Sequence, residues 1–318
     1  MAEGELRHRV YGLLTRGAFS VVRRMPPGTA RQAGKALAGL AGVLVPRVRK
    51  VGSANLDLAY GDSLTREEKQ RILRDAVANL GIVAAEFCRI PHLQTPEGRR
   101  LFEVTGLEHI DRDRGALFVS AHFGNWEWLG PAGAAVGLKA ALVVRPFDDP
   151  KLDRLIDGVR RSGNVETFSK DNAMGPLLNW LKHGGAAGIL ADQSPRENGV
   201  PTTFFGQPCW STAGPALIAR RARVPIHPVF MFRNPDGRYT LSFEPALEPA
   251  ATGDLLEDLQ QTTQRIQDAL EKTIRAYPGQ WLWMHRRWRR RERLEREWNE
   301  RRQRQERKQS APDQGLKT

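Results

Sequence analysis

The stretch "GALFVSAHFGNWEWLGPAGAAVGL", residues 115–138, decides the fold. A transmembrane helix needs about 20 apolar residues, and this segment has the length. Its interior Glu127 and its Gly/Pro punctuation exclude that reading and suit a strand, a turn and a helix instead. A strand ending at Ala121 puts His122 on the turn at the carboxyl edge of a sheet, where α/β folds carry their ligands.

Outward from this segment, "LFEV", "ALVV", "AAGILA" and "PIHPVFMF" read as further short buried strands, and helical segments separate the earlier ones. "RYTLSFEPAL" (238–247) follows the turn "NPDG" as another strand, and 254–276 alternates at helical spacing. The order predicts an α/β fold: a mixed, largely parallel sheet flanked by helices, with an N-terminal helical region and a charged C-terminal tail helix. Three parts are expected. Residues 1–95 form a helical, membrane-docking region, 96–288 the α/β core, and 289–318 a basic tail that is helical or disordered. The tail has i,i+4 charge pairs such as Glu292/Arg296 but no apolar stripe, so it is expected to fray without a partner. Near "SLTREEKQ", Ser63 or Thr65 is positioned to cap a helix.

The chain has 318 residues, 40% of them hydrophobic, which is enough for a sizeable core. Its formal charge of +13 calls for an acidic partner, and residues 281–318 carry 13 Lys/Arg against 6 Asp/Glu, +7 of that total. No RNA- or DNA-binding signature accompanies the arginines, so nucleic acid is not the expected partner. Two cysteines, Cys88 and Cys209, form no CxxC and no disulfide framework. Residues 5–24 and 33–46 have apolar residues at helical spacing among arginines and lysines. They fit either an interfacial helix on anionic lipid or a helix packed on the domain.

The chemistry-bearing residues begin with His122 and Glu127, spaced His-x4-Glu. A carboxylate near an imidazole keeps one ring nitrogen protonated and leaves the other as a base for a hydroxyl. On spacing alone, His122 is equally a core or capping residue and Glu127 a first-turn acid. Walker, GxGxxG, GxSxG and HExxH patterns do not occur, and the seven histidines are scattered, so no metal or cofactor is expected. Such an enzyme passes a group directly between two bound substrates.

"AHFGNWEW" resembles the His-x4-acid block of the glycerolipid-type acyltransferase superfamily, in the form carried by the late acyltransferases of lipid A biosynthesis, the lauroyl/myristoyl transferase family. "VVRPFDDPKLDRLIDGVRRSGN" (143–164), "GILADQSPRENGVPTTFFGQPCWSTAGPALIARRARVPIHPVF" (188–230) and "YPGQWLWMHRRW" (277–288) are similar to that family in order and spacing. The likeness begins weakly at "GSANLDLAYGDSLTREEKQRI" and spans roughly residues 50–288.

The resemblance implies an O-acyltransferase that moves a fatty acyl chain from acyl carrier protein to a hydroxyl of a lipid A precursor or similar glycolipid. It works against anionic lipid at the cytoplasmic face of the inner membrane, with peripheral or interfacial attachment. Phospholipid, ornithine lipid and mannosyl-lipid acceptors stay open, as does a non-catalytic scaffold. Within it, His122 is the base and Glu127 its orienter, and Arg145 binds phosphate or the oxyanion. Asp192 and Gln193 position the acceptor or cap their loop. Phe204, Phe205 and Gly206 lie near the substrate or in the core. Gly124 and Asn125 shape the turn, and Trp126 and Trp128 pack or touch lipid.

Overall fold

The computed structural model describes residue 17 and residues 19–310. Most of the interfacial helix expected over 5–24 lies outside the described residues; residues 19–24 are helical. Three helices follow: α1 (Pro27–Leu44), α2 (Pro46–Tyr60) and α3 (Arg66–Phe87). Proline at the first turn starts α1 and α2, where its missing N–H costs nothing. Thr65, rather than Ser63, caps α3 in a reciprocal capping box with Glu68. Helices α1 and α3 cross tightly at Gly34 and Gly81, where a Cβ on either would collide with the other's carbonyl oxygen. The short helix α4 (Pro96–Arg99) leads into the sheet.

The strands are β1 (Phe102–Thr105), β2 (Ala116–Ser120), β3 (Ala140–Val144), β4 (Glu166–Ser169), β5 (Ala186–Leu190), β8 (Ile226–Arg233) and β9 (Tyr239–Phe243). They form one sheet in the order β1-β9-β8-β2-β5-β3-β4. Every neighbouring pair is parallel except β8 and β9, which makes the sheet mixed and largely parallel, as expected. The remaining helices are α5 (Leu129–Ala135), α6 (Pro150–Arg161), α7 (Met174–Lys182), α8 (Gly214–Ala222), α9 (Leu255–Ala276) and α10 (Glu292–Ser310).

Both faces of the sheet are covered. Leu117, Val119 and Ala121 of the β2 segment pack with Leu177 of α7, Ile218 of α8 and Ile266 of α9. On the other face, Phe118 and Val229 pack with Ala132 of α5. Period-two alternation in β2 therefore feeds two separate cores.

β6 (Gly199–Phe204) and β7 (Gln207–Thr212) form an antiparallel hairpin outside the sheet. Against this hairpin the expectation of a tail without an apolar stripe fails. Leu294 is fully buried beside Gly199 of the hairpin, and Trp298 is nearly so, in a cluster with Val200 and the partly buried Trp210. The Arg301 guanidinium also donates to the Gly199 carbonyl at 2.7 Å. Two apolar residues four apart suffice to seat α10, a signal that the surrounding charge density hides.

Candidate active site

The turn between β2 and α5 is fixed by its own residue choices. Gly124 adopts φ +58°, and a Cβ there would strike the Met231 carbonyl, so only glycine fits. The Asn125 amide donates to the buried Glu86 carboxylate at 2.7 Å, and the Trp128 indole donates to the Glu86 carbonyl at 3.1 Å. Glu86 also accepts from Arg31 of α1 and from the Tyr239 hydroxyl, which balances its buried charge. Trp128 is buried, whereas Trp126 is half-buried against the His122 ring.

The C-terminal block is laced into the same turn. Phe123 and Trp281 form an antiparallel bridge, the Gly124 N–H donates to the Gln280 carbonyl and the Leu282 N–H donates to the His122 carbonyl. From α2, Asn55 donates to the carbonyls of Trp283 and His285 at 2.7 and 2.6 Å. The three blocks that stood far apart in sequence are thereby one structure.

The carboxylate that orients His122 is Asp192, which stands just after β5. His122 Nδ1 and Asp192 Oδ1 are 2.9 Å apart. Oδ2 accepts from the His122 backbone N–H and from the Trp281 indole, both at 2.9 Å. Asp192 is fully buried and is not part of the cavity lining. Burial opposes its charge, but His122 and these donors more than offset that and hold its pKa well below the usual carboxylate range. A carboxylate accepts only, so Nδ1 carries the proton and Nε2 is the basic nitrogen. Burial likewise disfavours an imidazolium at His122, but Asp192, and then Glu127, raise its pKa above the ordinary histidine value.

Glu127 has a different hydrogen-bond partner from the one expected. Both its oxygens are taken by Arg160 of α6, at 3.0 and 2.8 Å, a bidentate pair that is mostly buried. It acts on His122 through its charge and not by a hydrogen bond. Arg160 was not among the expected residues; its only sequence signal was a place inside the "RLIDGVRRSGN" block. Arg287 was missed too. It is fully buried, bonded to the Trp210 carbonyl, Ser211 and Gln267, and lies over the Phe204 ring.

A cavity of about 1140 Å³ opens beside His122 and is lined also by Glu127, Arg145, Arg160 and Gln193. Gln193 Nε2 stands 3.5 Å from His122 Nε2. The cavity exists because the β3–β5 ladder ends at Leu142 and Gly188, while β3 continues with β4 and β5 continues with β2. Lys170 and Arg196 join Arg145 on its wall, beside Asp171 and Glu197, and apolar residues such as Leu142, Leu177 and Ile218 line much of the rest. Phe204, Phe205 and Gly206 are not part of the lining. Phe204 and Phe205 are buried against Trp281 and Trp288, in the core alternative of their two readings. Among the described residues no group of His, Cys, Asp and Glu is arranged to hold a metal.

An oriented imidazole with one basic nitrogen, beside a large cavity with cationic residues on its wall, is an arrangement that can take a proton from a hydroxyl. Residues 2–290 match the family described as bacterial lipid A biosynthesis acyltransferase, and the chain belongs to that family. It is 26% identical over 281 residues to the lipid A biosynthesis lauroyltransferase of Escherichia coli, covering 85% of this chain and 89% of the relative. The palmitoleoyltransferase of the same organism is 26% identical over 263 residues, 80% and 83% of the two chains. A phosphatidylinositol mannoside acyltransferase of Mycolicibacterium smegmatis is 23% identical over 225 residues, 68% and 72%. The crystal structure of a 1-acyl-sn-glycerophosphate acyltransferase from Thermotoga maritima aligns with 79% of this chain and 99% of its own, at a TM-score of 0.39 and 16% identity.

Proposed function

We propose that this acyltransferase moves a fatty acyl chain from acyl carrier protein to a hydroxyl of a lipid A precursor, with His122 as the base. The observation that carries the reading is the Asp192 clamp on His122 Nδ1, which leaves Nε2 as the base beside the cavity. Nε2 takes the proton of the acceptor hydroxyl, and the alkoxide oxygen attacks the thioester carbonyl. The tetrahedral intermediate collapses, the carbon–sulfur bond breaks and the imidazolium returns its proton to the thiolate. No acyl-enzyme forms. Arg145, on the cavity wall, suits the oxyanion or an acceptor phosphate. Glu127 adds negative charge near the imidazolium, and Arg160 keeps that carboxylate in place.

The acceptor's sugar phosphates match the cationic wall of Arg145, Lys170 and Arg196. The mannoside acyltransferase relatives favour a second acceptor, a mannosyl-lipid, for the same chemistry. Among the described residues no helix is long and apolar enough to cross a membrane. On α1, Leu37, Leu40 and Leu44 are 68%, 56% and 69% exposed at spacings of three and four, and Arg47, Arg49 and Lys50 follow them. That pattern supports interfacial docking on anionic lipid.

The test is transfer in detergent from acyl carrier protein to a lipid A precursor, read by mass spectrometry. Wild type adds one acyl mass, and His122→Ala, folded, adds none. Wild-type-like transfer by His122→Ala would sink the reading, and transfer to a mannosyl-lipid alone would replace the acceptor.

A further inference from the structure

Arg287 takes no part in the proton transfer, yet it puts a full positive charge into the core. Its side-chain hydrogen bonds go to neutral oxygens: the Trp210 carbonyl at 2.7 Å, the Ser211 hydroxyl at 2.7 Å and the Gln267 amide oxygen at 3.0 Å. Its Nε–H is buried without a partner. A buried cation is costly unless an anion answers it. Two groups favour this charge, the Cys209 thiol and Asp192, and Asp192 is the only carboxylate of the two. The link to Asp192 is also structural. Gln267 of α9, which accepts from Arg287, donates from Nε2 to the Ala191 carbonyl at 3.1 Å, and the Ala191 N–H donates to the Ser120 carbonyl at 2.8 Å. The residue before Asp192 is thereby held on both sides.

Asp192 faces two imidazoles. His122 takes Oδ1, and His285 lies within reach of the same charge. His285 Nδ1 donates to the Leu282 carbonyl at 2.8 Å, so Nε2, buried and without a partner, is the nitrogen left to accept a proton. Burial keeps that proton off and holds the His285 pKa below the ordinary value; Asp192 and the Leu282 carbonyl favour the proton, while His122 and Arg287 oppose it. On the His122 side the other charge is Glu127, held by Arg160. We infer that Arg287 is a positioning residue for the base: through Gln267 it seats the backbone at Asp192, and its buried charge reserves the Asp192 carboxylate for His122 by keeping a proton off His285. The role rests on the reading of His122 as the base. It gives the block "HRRW", residues 285–288, a share in the chemistry.

Histidine titrations by NMR, denaturant melts and the pH profile of transfer test the role together. In wild type, His285 should stay neutral, as the Nδ1–H tautomer, over the whole range in which His122 takes its proton. Arg287→Met removes the charge and leaves a long apolar side chain. The acid limb of kcat/KM should then move about one pH unit higher, a loss of about tenfold on that limb, because positive charge no longer opposes protonation around Asp192. Arg287→Lys keeps the charge and loses the planar fork, so the limb should return to its wild-type pH at a lower kcat. In melts, Arg287→Met should cost less in Asp192→Asn than in wild type, since the cation has already lost its carboxylate there. A His285 that titrates with or above His122 in wild type overturns the inference, whether or not any variant folds. So does an acid limb that Arg287→Met leaves in place, or melts that simply add, which is what a purely structural bolt would give. If wild type transfers no acyl chain, the acyltransferase reading fails by itself, because the titrations and melts still report on Arg287.

Discussion

At the scale of single residues, the proposed base His122 and its partner Asp192 should set the pH at which the enzyme works. The base acts when neutral, so activity rises with pH through the His122 pKa, which Asp192 holds above the ordinary value of about 6.5. Asp192→Asn removes the largest influence that favours the imidazolium and leaves only Glu127 to oppose burial. The acid limb of the kcat/KM profile should therefore move to lower pH, while kcat falls on the order of a thousandfold or more because the tautomer is no longer imposed. A profile unmoved by Asp192→Asn would exclude the orienting role. At Ser120 the effect is on stability: Ser120→Ala removes a buried unpaired hydroxyl and should stabilise the fold by about 1 kcal/mol in denaturant melts. His122 and Glu127 were singled out by their spacing together with the resemblance of their block, but the hydrogen-bond partner of each was not. Asp192 is 70 residues from His122 and Arg160 33 residues from Glu127, and only the sheet and α6 bring them together.

Among elements, the strands that announced themselves were those buried on both faces, such as β2, β3, β5 and β8, because burial demands continuous apolar runs. The edge strand β4, "ETFS", begins with the exposed Glu166 and gave no such run. The hairpin β6–β7 was hidden by its turn. Phe205 and Gly206 both take positive φ, +53° and +70°, a geometry usually signalled by Asn-Gly. Phe205 accepts that strain because its ring is buried against Trp281 and Trp283. The same hairpin seats α10 through Leu294 and Trp298. Leu294→Ala should cost about 2–4 kcal/mol in urea melts, since it opens a cavity where this buried side chain meets Gly199 of the hairpin. A change below about 0.5 kcal/mol would mean that α10 does not pack there in solution.

For the whole molecule, the exposed leucines and the cleft lie on different elements. The N-terminal helices turn leucines outward, while the cleft opens at the carboxyl edge of the sheet. Replacing Leu37, Leu40 and Leu44 together by serine leaves a fold in which these side chains had little packing to lose. Binding to anionic vesicles should drop by about tenfold per leucine in co-sedimentation, with transfer in detergent unchanged. Equal binding by the triple variant would move the docking surface elsewhere. The α/β class was legible because the alternation of strands and helices is a chain-long pattern. The site's interior was not, because a cavity is a property of where a ladder stops, here at Leu142 and Gly188, and no residue type marks that position.

The bridge between Phe123 and Trp281 also bears on the order of synthesis. A ribosome delivers His122, Glu127, Arg145 and Asp192 long before it delivers residues 281 and 282. A nascent chain of that intermediate length has every reactive side chain, yet lacks the indole that fixes Asp192 and the amide that fixes the His122 carbonyl. The proposed base is thus expected to be seated only once Trp281 and Leu282 are in place, and truncation upstream of Trp281 should yield a protein that keeps His122 and Asp192 but lacks two of the bonds that hold them.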